Sequence, residues 1–233
     1  MSVRSLGIAG LCLALLVNIW SLLTGAFWLE NTSYILFFIF AILLKFSGRR
    51  FFNIAFYLFT GFTVASYVLK YVDTQFFSRE FSMVLLSMAY TVLIIEGLKY
   101  IVIKNGSYLM LLYFFGIVGL NGCLLGYHLV ELQEYISGYI AYSVYILYYF
   151  ILLLLGIVSF IYYLNSYSKR SMFFVSLALG LIFADVLRDM GVFYLRDISV
   201  EIIETIIRLG CAVFAVHFFT TKEKPLRFSQ MIS

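Results

Sequence analysis

Residues 173–194, FFVSLALGLIFADVLRDMGVFY, and residues 198–219, ISVEIIETIIRLGCAVFAVHFF, decide how this chain is read. Each is an apolar run of about 20 residues, the length that crosses a hydrocarbon core. Asp185, Arg188 and Asp189 interrupt the first run, and Glu204 and Arg208 interrupt the second. An ionised side chain at membrane depth costs about 3 kcal/mol or more unless it is paired or faces a wet cavity. Five such groups in adjacent spans cannot face lipid. They predict a buried polar site between two helices.

Working outward, apolar runs of the same kind recur along the chain. Candidate spans lie at about 5–29, 33–48, 51–72, 82–103, 107–131, 136–164, 171–195 and 198–221. A composition that is 64% hydrophobic and 12% charged, with a mean hydropathy of +1.01, excludes a soluble domain. The runs are continuous and do not alternate with period two, which favours helices over a barrel. The single proline, Pro225, follows the last run, so no span carries a proline kink. The first run, after Arg4, is longer than the apolar core of a signal peptide, about 7–15 residues, and no small-x-small cleavage site follows it. We expect it to be a retained first helix.

The connections are short, so neighbouring helices are expected to pack antiparallel with no soluble domain between them. Their charges segregate. Arg4, Lys45, Arg49, Arg50, Lys99, Lys104, Lys169, Arg170, Lys222, Lys224 and Arg227 fall on one side. Glu30, Asp73, Arg79, Glu80, Glu131, Glu134, Arg196, Asp197 and Glu201 fall on the other. The positive-inside rule then places both termini in the cytoplasm and requires an even number of spans. The fold expected is an all-α polytopic transmembrane bundle of about eight helices. Residues 1–233 form one integral domain, in the bacterial inner membrane. The net charge of +4 sits at span ends and gives no sign of a nucleic-acid partner.

Depth follows from this topology. Asp185 lies a little beyond the midplane, Arg188 and Asp189 one turn further out, Glu204 in the outer third and Arg208 near the middle. Lys70 lies near the outer end of the third span. Asp185 and Asp189 share a helical face, and Glu204 and Arg208 repeat that spacing. Two interpretations stand. In one, the charges are ion pairs that lock helices seven and eight. In the other, a carboxyl exchanges a proton with a substrate, its pKa raised by burial and like charge and lowered by the arginines.

Other signals are structural. Cys12, Cys123 and Cys211 fall in apolar runs without metal-ligand spacing and are expected to pack. Gly119, Gly122 and Gly126 share a face that would let two backbones approach closely. Tyr139, Tyr142, Tyr145, Tyr148 and Tyr149 crowd the sixth span, as interfacial and packing residues do. His128 and His217 fall near opposite ends of the bundle, which argues against a joint haem or metal site. No mid-membrane lysine in the last two spans suits retinal, and no phosphate loop or hydrolase motif occurs. No cofactor is expected.

The segment Ala178-Leu-Gly180-Leu-Ile-Phe-Ala184-Asp185 resembles the Gly-Ala-Leu-Leu-Phe-x-x-Ser-Asp signature of the lysoplasmalogenase-like (YhhN) family of eight-span membrane proteins, with alanine in place of serine. Val213-Phe214-Ala215-Val216-His217-Phe218 is similar to that family's Tyr-x-x-Ala-Gln/His ending. Leu86-Ser87-Met88-Ala89-Tyr90-Thr91 is similar to its Leu-Ser-His-x-x-Tyr segment. The resemblance implies hydrolysis of the vinyl-ether bond of a lysophospholipid, with release of an aldehyde. One carboxyl would protonate the enol-ether carbon and a second would steady the oxocarbenium ion or activate water. Asp185 would be the first, with Asp189 or Glu204 as the second. Arg188 and Arg208 would hold the lipid phosphate, with Lys70 a third candidate for binding the substrate. The family's membrane Gly-Asp pair on the third span aligns here with Leu69-Lys70, a cation for a carboxylate, and Lys70 is a candidate partner of Asp185. The alternative is a non-catalytic relative, a membrane sensor, carrier or structural subunit, in which the same charges lock helices. A transporter would show broken helices and a repeated half, which are not evident.

Overall fold

A computed structural model describes residues 3–45, 53–72, 77–101, 108–136, 138–194 and 197–223. Of the residues used above for orientation, Arg49, Arg50, Asp73, Lys104, Arg196, Lys224 and Arg227 lie outside these, as does Pro225. The side chains of Arg4, Lys45 and Arg79 also lie outside them. Among the described residues the chain forms α1 (Val3–Thr24), α2 (Phe27–Lys45), α3 (Ile54–Val72), α4 (Phe77–Leu98), α5 (Tyr108–Leu132), α6 (Tyr139–Ser166), α7 (Lys169–Phe193) and α8 (Ile198–Thr220), with no β-strand.

A helix keeps every backbone hydrogen bond within its own segment, which is why continuous apolar runs fold this way in lipid. Five described stretches, Ser5–Thr24, Glu80–Leu98, Tyr139–Ser166, Lys169–Phe193 and Ile198–Thr220, are long and apolar enough to cross a membrane. Trp28–Leu44 and Ile54–Lys70 are shorter apolar helices. The architecture is that of a helical membrane bundle.

Helix ends follow local chemistry. The first break falls at Gly25, whose φ of 68° lies in the left-handed region. Residues 27–29, which the apolar pattern joins to the first span, therefore open α2, and the second helix reaches 19 residues. Tyr167, at φ 44°, closes α6. Ser168 then starts α7 with a reciprocal capping box to Ser171. Asp197 caps α8 by accepting the Ser199 backbone N–H at 2.9 Å, which holds its carboxyl below the usual carboxylate range.

α7 packs on α8, α1 on α2 and α3 on α4, the hairpins that short connections dictate. α4 packs against α6, and α8 also reaches α1 and α2. α5 lies to one side, beside α6. Close helix approach occurs at glycines other than those the spacing singled out. A Cβ on Gly180 would stand 2.6 Å from Cys211 Sγ, and one on Gly10 would stand 2.2 Å from the Phe40 ring. On the α5 face, a Cβ on Gly119 or Gly126 would meet nothing within 4 Å among the described residues. One on Gly122 would meet only Leu153, at 3.9 Å. Among the described residues no backbone closes on α5 at Gly119 or Gly126, which are exposed. Cys211 is buried in the α7–α8 contact, whereas Cys12 and Cys123 are exposed on outer helix faces.

The core is aromatic and aliphatic, with Phe37, Phe59, Leu93, Leu152, Leu155, Phe174, Leu177 and Phe218 all buried. Phe174 and Phe218 stack across the α7–α8 pair, with centroids 4.7 Å apart.

Candidate functional site

The five charges of α7 and α8 meet in one buried network. Asp185 and Asp189 are fully buried, and Glu204 and Arg208 are buried beside them. Arg208 is the hub. Its Nη2 donates to Asp185 Oδ1 at 2.9 Å, its Nε to Glu204 Oε1 at 2.7 Å and its Nη1 to the Tyr67 hydroxyl on α3 at 3.3 Å. Arg188 serves its own helix, donating from Nη1 to Asp185 Oδ1 at 3.3 Å and from Nε to Asp189 Oδ1 at 3.1 Å. The helical spacings of the sequence produce two of these pairs, Arg188 with Asp185 and Arg208 with Glu204, and Arg188 also pairs with its chain neighbour Asp189. The Arg208–Asp185 pair joins α7 to α8.

The other carboxylate oxygens are held by tyrosines. Asp185 Oδ2 accepts the Tyr90 hydroxyl of α4 at 2.6 Å and the Tyr148 hydroxyl of α6 at 2.5 Å. Asp189 Oδ2 accepts the Tyr149 hydroxyl at 2.5 Å. The network thus ties together α3, α4, α6, α7 and α8. Asp185 alone receives four hydrogen bonds, two of them from cations. Arg208 uses all three of its nitrogen positions on protein partners, so none of them is turned outward.

Lys70 does not join Asp185. Its ammonium lies 5.4 Å from the centre of the Tyr67 ring, and among the described residues no carboxylate lies within ion-pair distance of it. The cations at Asp185 are Arg208 and Arg188. A void of about 20 Å³ adjoins the network, lined by Tyr34, Tyr67, Tyr90, Arg208 and Cys211 among others. A water molecule needs about 10–15 Å³ on this measure. The void admits one water and no lipid.

Two further parts of the buried polar structure were not anticipated from sequence. Tyr90, Tyr148 and Tyr149 supply the hydroxyls that complete the carboxylates, and the Tyr67 hydroxyl accepts from Arg208. A signal for two of them exists, since Tyr149 and Asp185 are equidistant along the chain from Tyr167, where the α6–α7 hairpin turns. The second part is Glu96, buried on α4. It accepts Lys99 Nζ at 2.7 Å and Arg170 Nη2 at 3.2 Å, with the Tyr100 hydroxyl at 3.2 Å. Arg170 itself lies over the Tyr100 ring at 4.0 Å. Lys99 and Arg170, assigned to one side by charge alone, meet on this carboxylate.

The histidines keep separate company. His128 Nε2 lies 3.0 Å from the Tyr149 hydroxyl, which links it to Asp189, whereas His217 stacks on Phe173 at 4.9 Å. Among the described residues no three His, Cys, Asp or Glu side chains converge in a metal-binding group. Comparison of the chain with protein-family models, with curated proteins and with solved structures finds no match.

Proposed function

We propose that the chain is a non-hydrolytic multi-pass membrane protein, a divergent relative of lysoplasmalogenase-like proteins, whose buried charges lock the bundle. Its place is the bacterial inner membrane, with both termini cytoplasmic, and its role is that of a membrane sensor or structural subunit. One observation carries this reading: Asp185 accepts four hydrogen bonds beside a void of about 20 Å³. A catalytic carboxyl must reach a substrate atom within about 2.6–3.2 Å or through one water. Every strong donor around Asp185 is already spent on it, and Glu204 is likewise paired to Arg208.

Vinyl-ether hydrolysis of a lysophospholipid is the second reading, and one observation favours it. Asp189 connects outward through the Tyr149 hydroxyl to His128, which lines a groove on the bundle surface. A proton delivered along that route would protonate the enol-ether carbon, with water attacking the resulting oxocarbenium ion. The lipid would then lie in the groove and not against Asp185.

The deciding experiment measures aldehyde release from lysoplasmalogen by the purified protein and by Asp185→Asn and Asp189→Asn variants. The expected result is no release by any of them. Release by the wild type that is lost in Asp189→Asn would establish the hydrolytic reading in its place.

A further inference from the structure

A groove of about 480 Å³ runs between α5 and the face formed by α6 and α7. That volume lies within the range of small-molecule pockets, about 300–1,000 Å³. Its walls are apolar, built from residues such as Leu125, Leu153, Ile157, Phe160 and Ile182. Its polar groups gather at one end, where α5 finishes and α7 finishes: His128, Glu131 and Tyr194. From Val118 to Glu131 the groove follows α5 for about 20 Å at 1.5 Å per residue, long enough for an extended hexadecyl chain.

The polar end has a definite sign. Glu131 lines that end beside His128 and Tyr194. Among the described residues no cation lies within ion-pair distance of that carboxylate. Aromatic rings stand around it: Tyr194 packs edge-on against Tyr135 at 5.3 Å and beside His128 at 6.1 Å. Among the described residues no lysine or arginine lines the groove. A carboxylate among aromatic faces is the surrounding that ammonium groups favour, by charge pairing and by cation–π attraction.

We propose that this groove binds a single-chain amphiphile with an ammonium head, its alkyl chain along α5 and its cation at Glu131. The volume suits one chain and a small head and falls short of a two-chain lipid. The ammonium supplies the counter-charge that no described residue gives Glu131, while an anionic head would be repelled by it. The groove meets the charge network through His128 and Tyr149. Hydrolysis established in the aldehyde experiment would therefore seat a phosphate-headed lipid here and overturn the proposal, whereas the absence of hydrolysis leaves it to the binding test.

The test uses the full-length protein in a non-ionic detergent, titrated with hexadecylamine, hexadecanol or palmitate and followed by native mass spectrometry. Hexadecylamine is expected to form a one-to-one adduct, with the alcohol and the acid binding at least about tenfold more weakly. Glu131→Gln is expected to bring the amine down to the level of the alcohol. Ile157→Trp, which fills the groove, is expected to abolish the adduct. Equal binding of all three chains, no adduct with the amine, or unchanged amine binding by Glu131→Gln would each overturn the proposal. If Glu131→Gln does not fold, the comparison of the three ligands on the wild type decides alone.

Discussion

Asp185 shows what an acidic residue requires at membrane depth. Two guanidinium groups neutralise it and two tyrosine hydroxyls fill its remaining lone pairs, so little of its cost is left uncompensated. Removing one partner of a buried ion pair strands the other charge, at about 3–5 kcal/mol. Arg208→Met strands Glu204 and removes one of the two cations of Asp185, and it is expected to destabilise by that amount, read from thermal unfolding in detergent. Lys70→Met serves as the contrast. Its ammonium lies by the Tyr67 ring with no described carboxylate in ion-pair distance, and the loss is expected to stay below about 1 kcal/mol. The five charges were legible in the sequence because charge in an apolar run is conspicuous. Their tyrosine partners were not. A tyrosine belongs equally to an interfacial belt, an apolar core or a hydrogen-bond network, and 19 of them conceal the four that matter here. Glu96 escaped notice for a different reason: it stands one turn from Lys99 near a helix end, where an exposed pair would look the same.

Among the helices, glycine spacing proved a poor guide to contact, because the partner surface decides whether a small residue is used. Gly180 lacks any room for a side chain, since a methyl group there would meet Cys211 Sγ at 2.6 Å. Gly180→Ala is expected to destabilise by about 1–3 kcal/mol as an overpacking change. Adding Cys211→Ala should restore most of that loss, which a double-mutant cycle by thermal unfolding would measure. Gly119→Ala is expected to change stability by no more than about 0.5 kcal/mol, in the manner of a surface position. The existence of the helices was legible, since twenty apolar residues have few other fates in lipid. The α1–α2 boundary was not, because Gly25 sits inside unbroken hydrophobicity and only its backbone conformation marks the turn. Nor was the lateral place of α5, since an apolar helix reads alike whether it meets protein or lipid.

At the scale of the whole molecule, the charge pattern of the connections predicts an orientation that the helix order alone leaves open. A green fluorescent protein fused to the C-terminus is expected to fluoresce, and alkaline phosphatase at the same position to be inactive, as cytoplasmic termini require. The opposite outcome would reverse the placement of every connection. The bundle also has two polar knots at separate levels. α4 and α7 meet once through Tyr90 and Asp185, and again through Glu96 and Arg170. Two rods pinned at two levels can neither slide along each other nor turn about their axes. Carriers that rock one half of a bundle against the other depend on that freedom. The two α4–α7 contacts oppose such rocking, and a guest of the proposed groove would then reach it sideways from the bilayer along α5.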